Sequence, residues 1–255
     1  LKIRKLLRNS FINRMGNRNN KPNPERKHFS SNGFVTRLPK RLLLIRHGES
    51  LGNCNESAYT TTPDWMIPLT EDGINQSKQL GKDLREIVGD GPLFIYCSPY
   101  IRTKQTLKYV MESFTDSEIL GVREEPRISE QQFGNFQKEE SMVNFKSARS
   151  NFGRFYYRFP EGEAGLDVYN RVTSFIATMF RDWAKLDPAV EDKMTVLIIT
   201  HGLTLRLFLM RWFHYTVQEF EESTNPPNAT YVCLNRQETN DEFSSTQFRF
   251  TQESL

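Results

Sequence analysis

Cysteine is scarce in this chain: Cys54, Cys97 and Cys233 lie far apart in 255 residues and form no CxxC pair. Such a set builds neither a disulfide framework nor a thiolate metal site, and it suits a reducing compartment. No acidic or Cys/His cluster has metal-ligand spacing, so no metal is expected. No apolar run approaches the roughly 18 residues of a membrane span, which excludes a helical membrane anchor from this stretch. No secretory signal is recognisable, so the sequons at Asn55 and Asn228 are expected to stay idle. Internal repeats are absent. Acids are almost missing from residues 1–40, which hold eleven Lys/Arg against Glu25 alone. The remaining 215 residues therefore carry 23 basic and 30 acidic side chains, a net of −7, although the whole chain stands at +3. The basic character belongs to the tail, and a mildly acidic body argues against nucleic acid as a partner.

What is present suffices for a packed domain, with 37% hydrophobic and 12% aromatic residues. Residues 1–39 read as a basic, disordered extension, with Pro22 and Pro24 breaking any long helix. The alternative is a transit peptide. The expected location is accordingly cytoplasmic, or plastid or mitochondrial if that alternative holds. The first residue is Leu1 rather than Met, so the natural amino terminus is expected to lie upstream.

From residue 40 to 255 the pattern is that of one domain. Buried strands are expected at Leu42–Ile45, Leu93–Cys97 and Thr195–Ile199. A helix capped by Thr70 carries Ile74, Leu80, Leu84 and Ile87 on one stripe and stops at Gly89-Asp90-Gly91-Pro92. Further helices are expected from about Tyr100 to Phe114, over Gly165–Leu186 with Leu166, Val172, Phe175, Ile176, Met179 and Trp183 on the core side, and over Leu203–Trp212. Alternating strands and helices predict an α/β fold: a three-layer α/β/α sandwich with a mostly parallel central sheet and helices on both faces. The aromatic and Arg-rich stretch near 128–163 reads as a lid or subdomain, and Glu238–Leu255 as an edge strand or tail.

Three of the strands end on chemistry. Arg46-His47-Gly48-Glu49 follows the first, with a flexible Gly beside the basic pair. Ser98-Pro99-Tyr100-Ile101-Arg102 follows the second, and His201-Gly202 the third. Ligands of open α/β sheets bind at the carboxyl edge, where these ends meet. Two His and two Arg there form a cationic cup suited to a phosphoryl group, with a neutral imidazole to attack and guanidinium forks to hold the oxygens.

The residues Leu44-Ile45-Arg46-His47-Gly48-Glu49-Ser50 with Asn53, Ser98-Pro99 with Arg102 and Thr106, and Thr200-His201-Gly202 together resemble the histidine phosphatase superfamily, in the branch containing cofactor-dependent phosphoglycerate mutase. The resemblance covers about Arg41 to Trp212 and implies a phosphoglycerate mutase-like fold. It implies that His47 is the phosphorylated nucleophile and that Arg46, Arg102, His201 and Asn53 bind the phosphoryl oxygens. A Glu before an aromatic-Gly pair supplies the proton in that family, and Glu130 before Phe133-Gly134 fits. Glu124 and Glu125 are rivals by proximity alone, and Glu49 reads as supporting structure. Glu163, in a Pro-x-Gly-Glu stretch with Asp167 following, is expected at the pocket rim. The stretches Phe133–Gln137 and Asn151–Pro160 look most like eukaryotic mutase-like proteins of plants and a fungal broad-range acid phosphatase. Arg154 and Arg158, spaced i and i+4, would face the pocket together if their segment is helical.

The activity these residues imply is a metal-independent phosphomonoesterase with a phosphohistidine intermediate, acting on small phosphorylated metabolites and needing no cofactor. The first alternative is a mutase primed by 2,3-bisphosphoglycerate. Mutases carry Tyr where this chain has Phe133 and Lys near Ser141, although Arg149, Arg154 or Arg158 remain available for a substrate carboxylate. The second alternative is a silent phospho-ligand-binding scaffold. A small phosphate ester is the expected partner, without nucleic acid or membrane, for a monomer or dimer.

Overall fold

The computed structural model describes residues 38–134, 139–185, 187–237 and 249–253. The expected extension up to residue 37, Asn135, Phe136, Gln137, most of the polar stretch after Gln237, and the side chain of Ser141 lie outside the described residues.

Leu42 to Ile45 are apolar without alternation because neither face of their strand meets water: all four are fully buried at the centre of β1 (Arg41–Arg46). Such a strand must be covered on both sides. It lies within a six-stranded sheet with β2 (Leu93–Cys97), β3 (Ile119–Glu124), β4 (Thr195–Thr200), β5 (Tyr231–Gln237) and β6 (Arg249–Glu253), in the order β3-β2-β4-β1-β5-β6. The first four of that order run parallel, while β5 and β6 each run antiparallel to the preceding neighbour. Alternation sends Leu42, Leu44, Val196 and Ile198 into one core and Leu43, Ile45, Leu197 and Ile199 into the other.

Helices α1 (Glu71–Val88) and α2 (Ile101–Met111) close the second core through Leu80, Leu84 and Val110. After α3 (Glu139–Phe152), helices α4 (Gly165–Trp183) and α5 (Gly202–Phe213) close the first through Val172, Phe175, Leu205 and Phe208. A short α6 (Val217–Glu222) adds Phe220. The result is the expected α/β/α sandwich. Among the described residues no helix is long and apolar enough to cross a membrane.

Thr70 caps α1 by accepting the Gly73 N–H at 3.0 Å, and Gly89 ends the helix at φ 65°. Gly73 is required by proximity: a Cβ there would sit 2.0 Å from the Glu49 carbonyl oxygen. Gly73→Ala should therefore destabilise the fold by about 1–3 kcal/mol, read as a lowered Tm with a matching loss of activity as the Glu49 strand end is pushed away.

Several expectations shift. α2 ends at Met111 and α4 at Trp183, each three residues early. Leu166 is 38% exposed because it lies two residues from Val168, off the buried stripe. β3 went unpredicted because it is an edge strand whose Leu120 and Val122 face outward, leaving no apolar alternation to detect. β5 went unpredicted because its apolar run, Tyr231-Val232-Cys233-Leu234, is cut to four residues by polar Asn235 and Arg236. Residues 249–253 of the C-terminal stretch form an edge strand. α3 stops at Phe152 because Gly153 turns into the left-handed region at φ 99°, so Arg154 and Arg158 are not on a helix.

Candidate active site

Parallel pairing aligns the carboxyl ends of β1, β4 and β2, with Arg46 opposite Thr200 and Cys97 opposite Ile199. The His47 N–H donates to the Thr200 carbonyl at 3.1 Å and the Ser98 N–H to that of Ile199 at 3.0 Å, fastening the three ends together. The glycine after each histidine serves close approach rather than flexibility. A Cβ on Gly48 would meet the Gly73 carbonyl oxygen at 2.5 Å, and one on Gly202 the Asn225 side chain at 2.8 Å. Neither has a positive φ.

His47 is 2% exposed and His201 fully buried, with ring centroids 5.1 Å apart. Nδ1 of His47 donates to the Gly48 carbonyl at 2.6 Å, which selects the tautomer whose lone pair is on Nε2. Burial, and then Arg102, hold the His47 pKa well below the usual histidine value, so the ring is neutral. His201 is likewise held low by burial first and Arg102 second. The Ser98 hydroxyl lies 2.8 Å from its Nε2, and with that hydroxyl donating the proton sits on Nδ1.

Guanidiniums surround His47. Arg102 is 2% exposed, lies with Nε 3.3 Å from His47 Nε2, and is held by Asp64 through an ion pair of 2.8 Å and a bond to its carbonyl at 2.7 Å. Arg46 donates from Nη1 to the Pro226 carbonyl. Arg46 and Arg149, the latter from the last turn of α3, line a cavity of about 250 Å³ with His47, Asn53, Arg102 and Glu130. Burial lowers the pKa of both Arg46 and Arg149. Arg46 Nε, Arg149 Nε and His201 Nδ1 are buried without a protein partner. Each such atom costs about 1–3 kcal/mol when left unpaired, and their convergence marks a site for an anion. Asn53 presents its amide to the same cavity, because its Oδ1 already accepts from Ser50 N, Ser50 Oγ and Asn228 Nδ2 at 3.0, 3.0 and 3.1 Å.

Glu130 closes the cup, with Oε2 4.0 Å from His201 Nδ1 and Oε1 accepting the Gln131 N–H at 3.0 Å. Its burial raises the carboxyl pKa against the pull of Arg102. The rivals stand elsewhere: Glu124 pairs with Lys104 at 2.6 Å and Glu125 with Arg127 at 2.7 Å. Glu49 supports the strand end by accepting from the Thr70 hydroxyl at 2.8 Å.

Three expected positions are corrected. Glu163 does not line the cavity; it binds Arg171 at 3.0 Å and accepts the Gln132 N–H at 2.9 Å. Arg171 in turn donates to the carbonyls of Arg127, Ser129 and Glu130, so the pair braces the loop that presents Glu130. Arg158 points away into an exposed pair with Asp167 at 2.7 Å. Arg154 reaches the Ser223 carbonyl at 3.4 Å. The end of α3 at Phe152 leaves Arg149 as the residue that enters the cup.

Other contributors carried no local signal. Asp64 and Tyr59 come from short helical turns between β1 and α1, and burial pushes the Tyr59 phenol up to about 12, so it stays protonated. The loop after α6 is held by buried Arg206, which donates to Ser223 Oγ at 2.9 Å, Asn225 Oδ1 at 3.2 Å and the Phe220 carbonyl at 2.6 Å. That loop supplies Pro226 to Arg46 and leads into Asn228, whose amide bonds the His47 carbonyl at 3.1 Å. The Asn228 side chain is thus committed to the site. Among the described residues no group of three or more His, Cys, Asp or Glu is arranged to hold a metal ion.

The sequence profile of the histidine phosphatase superfamily (branch 1) matches residues 42–248. A phosphoglycerate mutase-like protein of Arabidopsis thaliana is 47% identical over 210 residues, covering 77% of this chain and 74% of that protein. A broad-range acid phosphatase of Saccharomyces cerevisiae is 28% identical over 299 residues, covering 82% and 89%. In structure, a mycobacterial glucosyl-3-phosphoglycerate phosphatase complexed with VO3 superposes with a TM-score of 0.63 at 19% identity, covering 84% of this chain and 98% of that one.

Proposed function

Because the chain belongs to the histidine phosphatase superfamily, we propose that it hydrolyses small phosphate monoesters through a phosphohistidine on Nε2 of His47, without a cofactor. The observation that carries this reading is a neutral His47 whose Nδ1 is tied to the Gly48 carbonyl, so that its Nε2 lone pair opens into a cup of guanidiniums. Nε2 attacks phosphorus in line as the ester P–O bond breaks. The departing oxygen takes the proton of Glu130. Arg46, Arg102, the Asn53 amide and His201 Nδ1–H stabilise the equatorial oxygens, and Arg149 completes the clamp. Glu130, now a carboxylate, removes a proton from water, whose oxygen attacks phosphorus. The N–P bond breaks and neutral His47 and phosphate are regenerated.

Arg149 also favours a second reading, since a third guanidinium is what the acid group of phosphoglycerate would need in a mutase. The two are separated by priming. Phosphate release from simple esters should be unaffected by 2,3-bisphosphoglycerate, and interconversion of 2- and 3-phosphoglycerate should stay negligible with it; primed interconversion faster than hydrolysis would establish the mutase instead.

A further inference from the structure

Beside the phosphoryl cup lies a second, larger cavity of about 630 Å³, and the two share Tyr59 and Phe133 as a common wall. Because the two cavities adjoin at Tyr59 and Phe133, an ester with its phosphoryl group in the cup can extend a leaving group past these rings into the larger one. The chemistry changes across it. Among the described residues no Lys or Arg lines the larger cavity, and its one charged side chain is Asp64, the carboxylate already paired with Arg102. A carboxylate or second phosphate on the leaving group would find no counter-ion there among the described residues.

The rest of the lining is neutral, aromatic and rich in hydrogen-bonding groups. Trp65, 52% exposed, and Tyr100 both line it. The Tyr100 hydroxyl accepts from Gln132 Nε2 at 2.7 Å, which leaves its own proton and the Gln132 Oε1 for a ligand. Thr60, Thr61 and Thr62 also line it; the Thr60 and Thr61 hydroxyls donate to the Ser57 and Ala58 carbonyls at 2.7 and 3.4 Å, so toward a ligand those two can only accept. Aromatic faces suit C–H-rich ring surfaces, and a dense set of hydroxyl and amide groups suits a molecule with many hydroxyls of its own.

We propose that this cavity is the leaving-group subsite and that it selects uncharged polyhydroxylated groups, making sugar and polyol phosphates the substrate class. The inference rests on the phosphomonoesterase reading for placing phosphate in the cup, and binding can be measured apart from turnover. The His47→Ala protein should bind glucose 6-phosphate at least about tenfold more tightly than methyl phosphate or 3-phosphoglycerate by calorimetry. Adding Trp65→Ala, or Gln132→Ala as a second variant, should cut that advantage about fivefold to tenfold while leaving methyl phosphate binding unchanged. Tighter binding of 3-phosphoglycerate, an advantage that survives both substitutions, or a preference for phenyl phosphate over the sugar ester would overturn the subsite. Failure of the unsubstituted protein to hydrolyse any ester would overturn the phosphatase reading and leave the binding comparison to judge the cavity.

Discussion

The His47→Ala protein is expected to release phosphate at no more than roughly one part in 10⁵ of the unsubstituted rate, the scale on which loss of a covalent nucleophile is felt. The same variant should incorporate no acid-labile ³²P from labelled substrate. These two losses are coupled by the mechanism, because the N–P bond is the only link between ester cleavage and hydrolysis. Arg46, Arg102 and Arg149 remain in place, so the variant should still bind inorganic phosphate. Hydrolysis retained at even a hundredth of the normal rate would show that His47 is not the nucleophile. Labelling without His47 would place the phosphoryl group on another side chain, with buried His201 next in line at 5.1 Å between ring centroids.

Glu130→Gln should lower kcat for alkyl phosphates by about 10²–10⁴-fold, the usual contribution of a general acid. Aryl phosphates with good leaving groups should lose far less, since their departure needs no proton. Equal losses for both would remove Glu130 from the acid role. The pH profile carries the same assignment. The first step needs Glu130 protonated and His47 neutral. Burial raises the Glu130 pKa above the ordinary carboxyl value of 4.5, so the limb on which activity falls with rising pH lies above that value. Burial and Arg102 lower the His47 pKa below 6.5, so the limb on which activity falls with falling pH lies below that value. The profile should therefore be bell-shaped between these two limbs, and Glu130→Gln should abolish the alkaline limb while leaving the acid limb in place.

Bracing of the Glu130 loop gives a smaller effect of the same kind. Glu163→Ala frees Arg171 and the Gln132 N–H without touching the cup. It should lower kcat for alkyl phosphates more than for aryl phosphates, with KM for phosphate binding little changed. A uniform loss across leaving groups, tracking a fall in Tm, would reduce Glu163 to a stabilising role.

The chemistry-bearing residues were readable along the chain because each sits where an apolar run stops. His47, Arg102 and His201 lie at or just beyond strand ends, so the local pattern places those three, whereas Glu130 came from the family resemblance of the Phe-Gly pair that follows it. The two faces of the sheet were equally plain, since uninterrupted apolar strands require helices on both sides. Asp64, Arg149, Arg206 and Asn228 have no such marker. Asp64 and Asn228 come from connections between elements, Arg149 from the end of α3, and Arg206 from α5, where it holds the loop that leads into Asn228. Such a polar residue looks the same in sequence whether it faces water or a neighbour. The misplacement of Arg154, Arg158 and Glu163 has the same origin. Their spacing and motif were correct as patterns, but one glycine with a left-handed backbone at Gly153 ended the helix and turned the arginines elsewhere, and Arg171 drew Glu163 into the second layer.

What the sequence determined by itself is which residues gather at the carboxyl edge of the sheet, because secondary structure is local and the ends of parallel strands meet at one edge. What only the tertiary structure decided is the ionisation and the walls: burial makes His47 neutral and Glu130 a stronger proton holder, and long-range packing sets an arginine clamp on one side of Tyr59 and Phe133 and a neutral cavity on the other. Burial and charge proximity depend on distances between residues far apart in the chain, and those distances exist only once it has folded.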